Sequence, residues 1–353
     1  MIEKFNVALT YNVKPEASTK VTNNSSQTYL QSDTSLDKYA EWDTYETIFA
    51  LRDALALHHN VTLVEANEDA YEQLRKLNPE IVFNVAEGAN GISREAQIPA
   101  MLEMLQIPYT GSDPLTLSLC LDKSRTKEVL TYHKIPNSKF VVSYGENGFA
   151  GEELRFPLMI KPIGEGSSKG IFNSSYVNDH TTLEKTLAEN VIKYNQPFIV
   201  EEYLPGREFT VALLGNGKDT KILPIVEMNF NELPPDMIPI YSYEAKWIID
   251  TPDNPLDIFT CPAKIDRDLE KKISELVLRT YNVLNCKDWS RIDVRLDADG
   301  EPNIIEVNPL PGILPNPEDN SCYPKAARAA GMSYEETINN VLLAAAKRYG
   351  MIS

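Results

Sequence analysis

Histidine and cysteine are scarce: 353 residues hold four of each. The cysteines (Cys120, Cys261, Cys286, Cys322) stand apart with no C-x-x-C pair. That excludes a zinc ribbon or a dithiol redox motif and leaves free thiols in a reducing cytoplasm as the expectation. Gly166, Ser168 and Gly170 match G-x-S-x-G by letter, but a serine hydrolase needs a base further on. Only His180 follows, too near for the usual strand–turn–helix layout. Apolar runs long enough to span a bilayer are absent. The start, "MIEKFNVALTYN", lacks the basic and apolar segments of a secretion signal. Positive charge is short too: 34 Lys and Arg against 51 Asp and Glu give a net −17. A phosphate backbone or an anionic membrane needs clustered cations, so neither is an expected partner. No G-x-x-x-x-G-K-[ST] loop occurs.

What is present alternates strand with helix. "FNVALTY" reads as a first strand, and residues 13–37 then read as a long polar loop. A helix is expected from about Asp43, with Asp43 and Glu46 as a capping box and Ile48, Leu51 and Leu55 at helical spacing. "VTLVE", a short helix ending near Leu77, and "EIVFNV" continue the rhythm of a parallel sheet covered by helices. A first boundary falls near 109–114. Beyond a helix at Lys123–His133, "KFVVS", "PLMIK" and "FIVEEY" read as strands, with a helix near 181–192. An Asn-Gly turn at 216–217 joins two apolar arms. Residues 231–262, with six prolines and several aromatics, read as an ordered loop or lid. Helices are expected at 266–284 and over "YEETINNVLLAAAKRYG". The expected class is α/β (α+β), divided as 1–112, 113–200 and 201–353.

Two stretches carry chemistry. "KPIGEGSSKG", residues 161–170, is a glycine loop entered by a strand bearing Lys161. Such a loop can aim backbone N–H groups at a triphosphate, with the lysine as a point charge. The second is "SRIDVRLDADGEPNIIEVNPLPG". A two-residue turn at Asp299–Gly300 places Asp293 opposite Glu306 and Arg291 opposite Asn308. Facing carboxylates repel unless a cation sits between them, and magnesium takes such oxygen donors. A solvated hairpin with incidental acids is the alternative.

Together these stretches resemble the ATP-grasp superfamily, and the D-alanine–D-alanine ligase family within it. The similarity runs through "YTGSDPLTLSLCLDKSRTK", "KPIGEGSSKGI", "VEEYLPGREFTV", "YEAKW", "CPA", "RIDVR", "EVNPLPG" and "AARAAGMSYEE" over roughly residues 80–340. It implies an ATP-grasp fold behind an N-terminal parallel α/β domain, and a ligase that makes a peptide bond through an acyl-phosphate. It implies ATP held by Lys123, Lys161 and Ser168, with Glu201 and Leu204 at adenine and Glu208 at ribose. Asp293, Glu306 and Asn308 would bind one or two Mg2+ ions, or Mn2+. Arg291 and the Gly312 N–H would stabilise an oxyanion. Lys246 would reach the terminal phosphate, Ser167 would order the glycine loop, and Ser321 would take the second substrate's carboxylate. Implied partners are small amino-acid substrates and, as in many relatives, a second copy in a homodimer. The location is cytoplasmic.

The departures gather at the amino-acid pocket. The family's Gly-Gly-x-Ser-x-Glu loop is missing, with Glu41 a candidate substitute. Glu87 stands where the family has His, and Trp247 where it has Tyr. "ILPNPEDN" is longer than usual. A ligase for other amino acids and a non-catalytic ATP-binding protein therefore stay open.

Overall fold

A computed structural model describes residues 3–15, 39, 41–145, 153–250 and 256–353; most of the polar stretch at 13–37 lies outside them. The first layer is a parallel sheet of β1 (Asn6–Tyr11), β2 (Asn60–Glu65) and β3 (Ile81–Asn84), in the order β2-β1-β3. The crossovers use α1 (Tyr45–Ala56) and α2 (Ala70–Leu77). Helix α1 is capped by Thr44, whose Oγ1 accepts from Thr47 N at 3.4 Å, not by Asp43. Asp43 instead extends the backbone pairing beside Val13. Its carboxyl is pushed up to about 7 by burial.

Helices α3 (Gln97–Leu105), α4 (Pro114–Leu121) and α5 (Lys123–Tyr132) follow. The first two were not expected from the sequence, although Asp113 and Pro114 form a standard helix start. Asp122 caps α5 from Ser124 N at 2.9 Å. The second sheet is antiparallel, built from β4 (Phe140–Ser143), β5 (Leu158–Pro162), β6 (Tyr176–Val177) and β7 (Phe198–Glu202), in the order β4-β7-β5-β6. Helix α6 (His180–Tyr194) lies between β6 and β7 in the chain. The division drawn at 200/201 passes through β7.

The third sheet holds β8 (Glu208–Leu214), β9 (Lys221–Ile222), β10 (Val226–Met228), β11 (Phe259–Thr260), β12 (Trp289–Leu296) and β13 (Pro302–Asn308). Its order is β11-β10-β8-β12-β13, with β9 on β8. The β8–β9 link is not a two-residue turn. Asn216 has φ −130°, outside the left-handed region such a turn requires, and Gly217–Asp219 form a single 3-10 turn. Helix α7 (Arg267–Val283) buries Ile273, Leu276, Val277 and Tyr281. Helices α8 (Cys322–Ala329) and α9 (Tyr334–Arg348) close the chain, the latter with a Ser333/Glu336 capping box.

Trp289, fully buried, joins the first and third sheets by edge contacts with Phe83 and Tyr323. Beside it the Asp288 carboxylate accepts from Gly111 N, Asn216 Nδ2 and Arg348. Among the described residues no helix is long and apolar enough to cross a membrane.

Candidate active site

The acidic hairpin is built differently from its sequence expectation, yet reaches the same pairing. Asp297 N donates to Glu301 O, so the loop is Ala298–Gly300, three residues rather than two. Gly300 takes φ +81°, which a glycine adopts without steric cost. That offset carries up the ladder as Leu296↔Pro302 and Val294↔Ile304. A bulge at Ile305 then restores it, and Asp293 faces Glu306 while Arg291 faces Asn308. Sites beside functional clusters are common places for such bulges.

Protein cations lie among these acids. Lys123 Nζ is 3.0 Å from Glu306, and Arg291 lies 3.0 Å from Asp293 and 4.0 Å from Glu306. Burial opposes the charge of Glu306, but Lys123 and Arg291 outweigh it and hold the carboxyl at about 2. Asp293 is shifted the other way, by burial and by Glu306, against the pull of Arg291. Thr210 Oγ1 donates to Asp293 at 2.5 Å. Two carboxylates and one carboxamide oxygen form a hard donor set suited to magnesium. Asn308 Oδ1 already accepts from Leu310 N at 3.0 Å, which fixes its orientation.

Deeper in the cleft, Glu201 on β7 lies between Lys161 at 2.5 Å and Lys127 at 2.8 Å. Burial works against its charge, but the two ammonium groups hold it at about 2. Glu208 pairs with Arg295 at 2.6 Å, and Arg295 also donates to Tyr203 Oη and Pro239 O. Neither Lys127 nor Arg295 was singled out from the sequence. Lys127 sits four residues after Lys123 on one face of α5, a spacing that could have flagged it. Arg295 is two residues after Asp293, on the same face of β12.

The glycine loop closes against the segment predicted as a lid. Ser167 and Ser168 both have positive φ, +50° and +61°, a conformation that costs non-glycine residues roughly 1–3 kcal/mol. Ser168 Oγ donates to Tyr241 O at 2.7 Å, and Tyr243 N donates to Ile171 O at 2.7 Å. Glu244 accepts from Asn173 N. Two residues on, Lys246 reaches the cleft from the π-helix Ala245–Ile249. Burial, then Arg291, lower its ammonium to about 8. The side chain of Trp247 lies outside the described set.

At the other end, Glu41 accepts from Gly166 N at 2.8 Å and takes both oxygens to Arg94, at 2.7 and 2.8 Å. Arg94 also donates to Gly164 O. Glu87 and Glu95 complete a group whose carboxylate oxygens lie within 4.8 Å of one another. Arg94 and Glu95 were missed; "SREAQ" carries no signal until folding sets it against the glycine loop. Ser321 Oγ accepts from Leu314 N at 3.2 Å and lies 3.4 Å from Gly312 O, fastening the loop that carries Gly312. The Gly312 N–H makes no hydrogen bond among the described residues. Every candidate from the sequence whose side chain is described, Leu204 and Ser168 included, lines this one cleft, whose cavity measures about 360 Å3.

Known proteins resemble this chain in sequence and fold. The family described as D-ala D-ala ligase C-terminus matches residues 135–343. The uncharacterised protein y4sG of Sinorhizobium fredii is 35% identical over 302 residues, 82% of this chain and 84% of that one. The D-alanine–D-alanine ligase of Cupriavidus pinatubonensis is 33% identical over 266 residues, 75% of each chain. That of Moorella thermoacetica is 32% identical over 295 residues, 81% of this chain and 88% of the other. Among solved structures, the D-alanine–D-alanine ligase from Bacillus anthracis complexed with ATP superposes with a TM-score of 0.70. It covers 98% of this chain and 99% of that one, at 20% identity, a likeness of fold.

Proposed function

We propose a reaction from the premise that the chain belongs to the D-alanine–D-alanine ligase family and has the ATP-grasp fold. It is an ATP-dependent, ADP-forming ligase that makes a peptide bond between two amino acids. In the first step a substrate carboxylate oxygen attacks the γ-phosphorus of ATP, the bond to the β-phosphate oxygen breaks, and ADP leaves. An amine then attacks the acyl-phosphate carbon, the carbon–oxygen bond to phosphate breaks, and the surplus amine proton passes to solvent.

The observation that carries this reading is the convergence of Asp293, Glu306, Lys123, Lys161 and Arg291 in one cleft. Lys123 and Lys161 bind phosphate oxygens, leaving Glu306 and Glu201 when ATP enters. Glu201 and the backbone near Leu204 orient the adenine, and Glu208, steadied by Arg295, the ribose. Asp293, Glu306 and Asn308 would hold Mg2+, which when bound supplies charge neutralisation at the phosphates. Arg291 and the Gly312 N–H offset charge on the tetrahedral oxyanion. Lys246, with the Tyr241–Glu244 segment, closes over the γ-phosphate and excludes water. Ser321 keeps the Gly312 loop in place beside the second substrate. ATP use and four free cysteines fit a cytoplasmic location.

Phosphate release assayed with D- and L-amino acids tests the reading. Release that needs both an amino acid and ATP is expected, and Asp293→Asn should lower it by about a hundredfold or more with an unchanged circular dichroism spectrum. ATP binding with no release for any amino acid would support a non-catalytic nucleotide-binding protein instead. The acids at the amino-acid end favour a substrate other than D-alanine.

A further inference from the structure

We propose that the Glu41–Glu87–Glu95 pocket selects an amino acid bearing a second amino group, so that the acid phosphorylated by this ligase is a diamino acid. The inference rests on the ligase reading and names its substrate class.

The pocket touches the phosphate loop: Glu41 holds Gly166 N, and its charge is neutralised by Arg94. Glu87 and Glu95 feel Arg94 only through space, and Glu95 also Lys123. Neither side chain makes a hydrogen bond or ion pair among the described residues. Glu95 is only 8% exposed, and its side chain lines the cavity. A carboxylate buried to this degree without a partner is costly, and two beside each other repel. The pocket therefore calls for two positive charges from whatever fills it. The α-ammonium of an ordinary amino acid supplies one; a side-chain ammonium supplies the other.

The spacing suits ammonium. One oxygen from each carboxylate lies within 4.8 Å of the others, near enough together for one ammonium to reach them at about 2.8 Å. Burial, then the charge of Glu41, push Glu95 up to about 8 against the pull of Arg94 and Lys123.

The test compares matched acids in both chiral forms: alanine with diaminopropionate, norvaline with ornithine, norleucine with lysine. Phosphate release is followed at saturating ATP and Mg2+. At least one diamino acid should exceed its neutral partner in kcat/KM by about tenfold or more. Glu87→Gln and Glu95→Gln should each reduce that ratio by about tenfold, mainly through KM, while ATP affinity measured by calorimetry changes little. Neutral acids that match their diamino partners in every pair would overturn the inference and leave the ligase standing. So would a ratio that survives in both variants. Binding of ATP with no release from any acid would overturn the ligase reading and the inference with it.

Discussion

Lys127 and Glu201 are each 3% exposed, and their ion pair is closed further by Lys161. Removing one member of a buried pair leaves an uncompensated charge, so Lys127→Met should cost about 3 kcal/mol in urea unfolding. The pH dependence has a definite sign. The Glu201 carboxyl is lowered to about 2. Its contribution to stability is therefore complete above the unfolded value of about 4.3 and fades as pH falls through about 2. In Lys127→Met that acid limb should move upward. A variant as stable as the parent at pH 7 would refute the assignment of this pair as a structural support for the phosphate lysine. Residues with a chemical motif, such as Lys161, Asp293 and Glu306, were legible in the sequence. Lys127, Arg94, Glu95 and Arg295 were not, because their main charged partners lie 53 to 87 positions away, and side-chain type alone does not disclose them.

Among the elements, the strands and long helices could be read because their apolar spacing is strong: β1, β3, α7 and α9 lie within a residue or two of expectation. Short connections could not. The cap of α1 moved by one residue, two helices before α5 went unread, and neither hairpin link has the two-residue turn its dipeptide favours. At the acidic hairpin the pairing of Asp293 with Glu306 survived because a longer loop and a bulge offset each other. Because Ile305 is the extra residue, deleting it alone places Glu306 directly after Ile304 and keeps it opposite Asp293, with Asn308 opposite Arg291. Mn2+ binding followed by electron paramagnetic resonance should therefore survive that deletion. Its loss would show that the bulge sets the site by more than register.

At the scale of the whole molecule, three sheets supply one cleft, and the lid brings Lys246 into it. Burial and Arg291 lower this ammonium to about 8, so it is charged below that pH and neutral above. For a residue that reaches the γ-phosphate, kcat/KM for ATP should fall as pH rises through about 8. Lys246→Arg stays cationic and should lose this limb, whatever its absolute rate. A profile with the same limb in both proteins would assign it to another group.

The contact between Glu41 and Gly166 joins two jobs in one carboxylate. The amine end of the cleft and the loop over the nucleotide share an oxygen, so neither can change its affinity without informing the other. Thermodynamic reciprocity then sets the outcome: the factor by which an amino acid tightens ATP must equal the factor by which ATP tightens that amino acid. On the ligase reading the two ligands become mutual gatekeepers, and hydrolysis of ATP without a phosphoryl acceptor should stay low while the neighbouring site is empty.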